Sequence, residues 1–156
     1  MIERQGPTEL IDAIGARGLR GRLIHGSDVT LLPADPGAYL LLIGLRRKVA
    51  IRGYPSWPES LPRGWYLYAG SAYGPGALRG RLARHFRPTK VRHWHVDQLT
   101  AEGEIHAMAY AGRRECELVA ALSGLPEITM PAPGFGSSDC RICRSHLLAY
   151  QPGRIP

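Results

Sequence analysis

The chain of 156 residues contains no asparagine and only three glutamines, an amide-poor composition that fits a compositional bias with a thermophilic component. No apolar run approaches the roughly 18 residues that a membrane-spanning helix requires. The longest, Ala38 to Ile43, is the length of a strand. The first residues lack the basic and apolar regions of an export signal, so a cytoplasmic protein with no membrane partner is expected. Cysteine is scarce. Cys116, Cys140 and Cys143 are an odd number in a chain without an export signal, which argues against a disulfide framework and leaves thiol or metal chemistry open. With 44% apolar and 21% charged residues, the composition excludes wholesale disorder and collagen-like repeats. The length suits a single core, in which roughly 70% of the unfolded chain's surface is buried.

Positive charge is abundant and concentrated. The net charge is +7, and eighteen of the twenty basic residues are arginine. Eleven of them lie between Arg46 and Arg92 against one acid, Glu59, while the remainder of the chain is net negative. Arginine presents a planar fork of donors that matches phosphate oxygens better than the point charge of lysine. A basic segment of this density points to a phosphate-rich partner. A nucleic acid is the expected partner; the bland alternative is solvated surface charge.

Along the chain, residues 1–30 read as an N-terminal accessory segment, 31–150 as the main domain and 151–156 as a tail. Thr8 to Ile14 has the spacing of a short amphipathic helix, after which Gly15, Gly18, Gly21 and Gly26 interrupt any regular pattern. Leu31 to Gly37, with Pro33 and Pro36, is a turn signal leading into the apolar strand from Ala38 to Leu45. Arg46 to Ile51 reads as a second strand or hairpin arm, and Pro55, Pro58 and Pro62 make Gly53 to Gly64 a loop. Trp65 to Gly70 is strand-prone, with Tyr66 and Tyr68 on one face and Leu67 and Ala69 on the other. Leu78, Leu82 and Phe86 recur at helical spacing, which places Arg81 and His85 at the border of the apolar stripe and turns Arg84 and Arg87 away from it. His93 to Asp97, if extended, puts His93, His95 and Asp97 on one side. Ile105 to Tyr110 reads as a strand and Glu115 to Leu122 as a helix. Glu115 falls on the apolar face of that helix, where a carboxylate needs a partner.

Taken singly, Tyr39 and Tyr68 read as packing residues, Arg81 as a surface arginine and His85 as a partly buried helix residue. In order and spacing they read differently. Gly37-Ala38-Tyr39, Tyr68-Ala69-Gly70-Ser71, Arg81 to Phe86, and Glu115 followed by Leu118-Val119 resemble the GIY-YIG nuclease superfamily. His93 to Asp97, Glu115-Cys116-Glu117-Leu118 and the run Gly134 to Cys140 are similar to its compact Uri-type branch, the domain of unknown function DUF123. The resemblance spans about Pro36 to Tyr150. It implies an α/β fold of the α+β kind, a small central antiparallel sheet flanked by helices, and metal-dependent hydrolysis of a nucleic acid phosphodiester. It also implies that Tyr39 helps activate the attacking water, Tyr68 orients the site, and Arg81 stabilises charge on the phosphate. Glu115 would hold a magnesium or manganese ion, and His85 would bind phosphate or relay a proton. The superfamily's late asparagine has no counterpart here, and Ser137 or Ser138 would take its place.

Expected nucleic-acid contacts are Arg79, Arg84, Arg87, Lys90 and Arg92, with His93, His95, Ser137 and Ser138 beside them. Cys140, Cys143 and His146 have the spacing of half a structural zinc site, with Cys116, His93 or His95 as the fourth ligand; the alternative is reduced cysteines packed as small hydrophobes. His93, His95 and Asp97 would otherwise serve a second metal or the scissile phosphate. Two further classes of function stand beside the endonuclease: a non-catalytic nucleic-acid-binding module of the same fold, and a zinc-stabilised interaction domain.

Overall fold

An unbroken run of nine residues, Gly37–Leu45, is buried along its whole length, as suits a strand covered on both faces whose single polar side-chain group is the Tyr39 hydroxyl. The computed structural model describes residues 7–32 and 34–152; Pro33 of the expected turn, residues 1–6 and residues 153–156 of the expected tail lie outside them. In chain order the elements are α1 (Pro7–Ala16), β1 (Leu23–Ile24), a 3-10 helix (Gly26–Leu31), β2 (Gly37–Leu45), β3 (Val49–Ala50), β4 (Ser60–Leu61) and β5 (Gly64–Ser71). There follow α2 (Ala77–Phe86), α3 (Asp97–Thr100), β6 (Glu104–Ala111), α4 (Glu115–Ser123), β7 (Ile128–Thr129) and β8 (Leu147–Tyr150). Among the described residues, six strands form one antiparallel sheet in the order β1-β6-β2-β5-β8-β7, and β3 and β4 form a separate two-stranded sheet. This is the expected α/β class with a central antiparallel sheet.

The period-two alternation of β2 and β5 separates two cores. On one side Tyr39, Leu41, Ile43, Tyr66 and Tyr68 pack with Leu78 and Leu82 of α2, Val96, Leu99 of α3, Trp57 and Phe135. On the other, Leu40, Leu42, Leu67 and Ala69 pack with Leu10 and Ile14 of α1 and with Leu118, Val119 and Leu122 of α4. Each such aliphatic side chain contributes roughly 1.5–3 kcal/mol when fully buried. No helix among the described residues is long and apolar enough to cross a membrane.

Several elements differ from the expectation. The N-terminal segment, read as accessory, supplies the edge strand β1 against β6 and buries Leu10, Ile14 and Leu19 in the second core. Arg46 to Ile51 does supply a hairpin arm, the two-residue β3, but its partner β4 lies within the stretch Gly53 to Gly64 that read as a loop. His93 to Asp97 is not an extended strand: Trp94 accepts a backbone bond from Asp97 at 3.0 Å, and the chain turns directly into α3. The physical reason is Asp97, whose carboxylate accepts the backbone N–H groups of His93 and Trp94 at 2.8 and 3.0 Å and closes the turn.

Candidate active site and metal cluster

The pairing of β2 with β5 sets Tyr39 opposite Gly70 and Leu41 opposite Tyr68, so both tyrosines emerge on the same face of the sheet. The glycine at position 70 is required by that register, because a Cβ there would overlap the Tyr39 ring. Gly136 makes a similar allowance for Tyr68. Its φ of +68° is disfavoured for other residues, and a Cβ would lie 2.6 Å from Tyr68 Cε2. Over this face α2 brings His85, which is fully buried, with Nε2 2.7 Å from the Tyr39 hydroxyl and Nδ1 without a protein partner.

Burial governs the protonation of these groups. Desolvation pushes His85 down to about 3, against a smaller opposing pull from Asp97, so its imidazole is neutral near pH 7. Desolvation raises Tyr39 far above the ordinary phenol value, reinforced by Tyr68, with Arg81 and Arg84 opposing. Tyr68 is pushed up to about 12, again by burial first and then by Asp97. Both phenols are therefore protonated at rest, and the neutral His85 offers Tyr39 an acceptor.

Tyr39 and Tyr68 form part of the wall of a cleft of about 640 Å³, which Arg81 and Glu115 also line. Glu115 is the first residue of α4, where the helix dipole favours a negative side chain. One of its carboxylate oxygens, Oε2, is buried with no hydrogen-bond partner in the protein. A carboxylate at the wall of a cleft with one oxygen unpartnered suits a hard divalent cation, which is commonly held by one carboxylate with water and substrate oxygens.

The Trp94 ring carries two guanidinium groups, Arg81 at 4.7 Å and Arg84 at 4.2 Å from its centroid. Arg84 is fixed further by two bonds to Asp97, at 2.9 and 2.8 Å. Burial alone would raise the fully buried Asp97 carboxyl. Arg84 and the His93 and Trp94 backbone amides outweigh it and hold the group well below the usual carboxylate range. Asp97 thus locks the turn that presents Trp94, and Trp94 in turn supports Arg81.

The expected site residues divide accordingly. Tyr39, Tyr68, Arg81, Glu115, His93, His95 and Ser138 line the cleft, while His85 reaches it through Tyr39. His95 is also packed against Trp57, at 4.9 Å between ring centroids. Arg84, expected to point away from the apolar stripe, is drawn back over Trp94 by Asp97. Arg79 donates to the Leu32 carbonyl, and Lys90 donates to the carbonyls of His85 and Arg87 at the end of α2. Arg87 and Arg92 are exposed outside the cleft lining, and Ser137 is buried outside it. Three charged residues of the lining were missed in the sequence: Arg114, Asp139 and Arg141. Each stands next to a residue already singled out, Glu115, Ser138 or Cys140, which was the available signal.

In the wall of the same cleft, which Cys116, Cys140 and His146 line, these three and Cys143 bring four ligand atoms within 4.8 Å of one another, a group that could hold a metal ion. Of the three candidates for a fourth ligand, Cys116 joins the cluster and His93 and His95 do not. Cys116 Sγ lies 3.4 Å from Cys140 Sγ, and Cys140 Sγ also receives the backbone amides of Ile142 and Cys143 at 3.4 and 3.3 Å.

The family model described as "Domain of unknown function DUF123" matches residues 38–154. No curated protein and no solved structure matches the chain.

Proposed function

The chain belongs to the DUF123 family, and from that premise and the cleft we propose that it is an endonuclease cutting DNA phosphodiester bonds with magnesium or manganese. The link to GIY-YIG nucleases rests on the motifs around Tyr39, Tyr68, Arg81 and Glu115. The observation that carries the reading is their convergence on the lining of one cleft, together with a Glu115 carboxylate that has one oxygen without a partner.

Tyr39 takes a proton from the attacking water while its own hydroxyl proton passes to His85 Nε2, 2.7 Å away. This relay suits a phenol whose free ionisation is suppressed by burial and an imidazole that is neutral before the reaction. Tyr68 orients the water or a phosphate oxygen by hydrogen bonding from the same face. Arg81, steadied on Trp94, neutralises charge developing on the phosphate. Glu115 holds the divalent ion, which when bound supplies Lewis-acid stabilisation of the phosphodiester oxygens. Arg114 and Arg141 at the cleft and the basic segment from Arg46 to Arg92 hold the backbone by charge, a mode that positions nucleic acid without reading its sequence.

The test is cleavage of supercoiled, linear, branched and single-stranded DNA, with an RNA arm, under magnesium or manganese. Wild type cuts at least one substrate, and Glu115→Gln and Tyr68→Phe each lose at least about 100-fold in rate, on the scale of losing one group that stabilises transition-state charge. Binding without cleavage in the wild type would instead make the protein a nucleic-acid-binding module. Variants that cut as fast as wild type would remove these residues from the chemistry.

A further inference from the structure

Four donors from two distant stretches of chain meet at the cleft wall: Cys116 in the first turn of α4, Cys140 and Cys143 in the loop that follows β7, and His146 just before β8. Their mutual separations, all within 4.8 Å, approach the edges of a zinc tetrahedron, about 3.5–3.8 Å for Zn–S and Zn–N bonds of about 2.3 and 2.0–2.1 Å. The Cys116 to Cys140 distance of 3.4 Å is already close to such an edge.

Two features distinguish the cluster from cysteines packed as hydrophobes. Two backbone amides, of Ile142 and Cys143, are aimed at one sulfur, Cys140 Sγ; a thiol accepts weakly, whereas a metal-bound thiolate is stabilised by such donors. His146 is 5% exposed, and its Nε2 is buried with no partner. A disulfide between Cys116 and Cys140 would leave both Cys143 and that nitrogen without a function. Sulfur donors, moreover, select against magnesium and calcium.

We propose that Cys116, Cys140, Cys143 and His146 form a closed zinc site that clamps the loop of residues 134–146 to the first turn of α4. All four positions are taken by the protein, so the ion is structural rather than catalytic. The clamp has a specific consequence for the cleft. Cys116 follows Glu115 directly, and the clamped loop carries Gly136 against Tyr68 together with Ser138, Asp139 and Arg141 in the cleft wall. The zinc site stands whether or not the cleft hydrolyses DNA.

The experiment uses the full chain purified without chelator, with metal content measured by elemental mass spectrometry. One zinc per chain is expected, falling below a tenth in Cys140→Ser/Cys143→Ser. A folded wild type that holds no zinc after incubation with zinc salt overturns the proposal, as does a folded double variant that keeps its zinc. Should the double variant fail to fold, cobalt replacement in the wild type decides. Thiolate-to-cobalt charge transfer with intense tetrahedral bands supports the site, and weak octahedral bands or none overturn it. Stripping zinc should accelerate hydrogen exchange in residues 134–146 at least tenfold while β2 and β5 stay protected; unchanged exchange in that loop overturns the clamp. None of these readouts involves nucleic acid, so failure of the nuclease reading leaves them intact.

Discussion

Tyr39 and His85 show how burial sets the chemistry of single residues. Helical spacing alone put His85 at the border of the apolar stripe of α2; in the folded chain it is fully enclosed, with the Tyr39 hydroxyl at 2.7 Å. Groups facing it include Arg81, Arg84 and Lys90 from its own side and Asp97 from α3, yet desolvation dominates and holds it at about 3. An unfolded histidine titrates near 6.5, so between pH 6.5 and 3 the unfolded chain binds a proton that the folded chain does not. Stability therefore falls as pH drops through 6.5, by about 2 kcal/mol at pH 5 from this group alone. Denaturant unfolding at pH 7 and pH 5 checks this: His85→Gln should be less acid-sensitive than wild type by about that amount. Equal pH slopes would place the imidazole in contact with solvent. Arg84 carries the complementary lesson, since its outward position on the wheel was legible but the pull of Asp97, thirteen residues further on, was not.

Between elements, register does what spacing along the chain cannot. The sequence marks two strands each bearing a tyrosine near a glycine; only the pairing of β2 with β5 makes Gly70 the seat of the Tyr39 ring. Gly70→Ala should therefore push the ring away from His85, reducing cleavage at least tenfold and lowering stability by about 1–3 kcal/mol, the usual cost of overpacking. Cleavage rates and chemical denaturation on the same preparation test this, and undiminished cleavage would detach Tyr39 from the reaction. The helix of residues 115–123 and the strand of residues 104–111 were legible from periodicity because each has one dominant apolar face or run. The turn at residues 93–97 was not, because alternation of residue types over five positions fits a strand equally well until the Asp97 carboxylate is seen to bond the backbone behind it.

At the scale of the whole molecule, the positive charge divides into separate roles. Within the basic segment, Arg84 is spent on Asp97, Arg79 on the Leu32 carbonyl and Lys90 on the end of α2, whereas the cleft gains Arg114 and Arg141 from the net-negative remainder of the chain. Nucleic-acid binding should accordingly weaken in Arg114→Ala/Arg141→Ala. The slope of log affinity against log salt should flatten by about 0.9 for each duplex phosphate contact removed, which titrations at several salt concentrations measure. A slope unchanged from wild type would place the bound backbone elsewhere than at this cleft.

The sequence by itself determined the mixed α/β class, the central strands and the concentration of arginine, and it singled out Tyr39, Tyr68, Arg81 and Glu115, which the fold brings to one cleft. These are written in local periodicity, composition and motif order. The tertiary structure decided which groups share an environment: the neutral His85 behind Tyr39, the partnerless oxygen of Glu115, and Cys116 rather than His93 or His95 beside Cys140, Cys143 and His146. Desolvation and ligand geometry depend on distances between residues far apart in the chain, and those distances exist only once the sheet and its covering helices have formed.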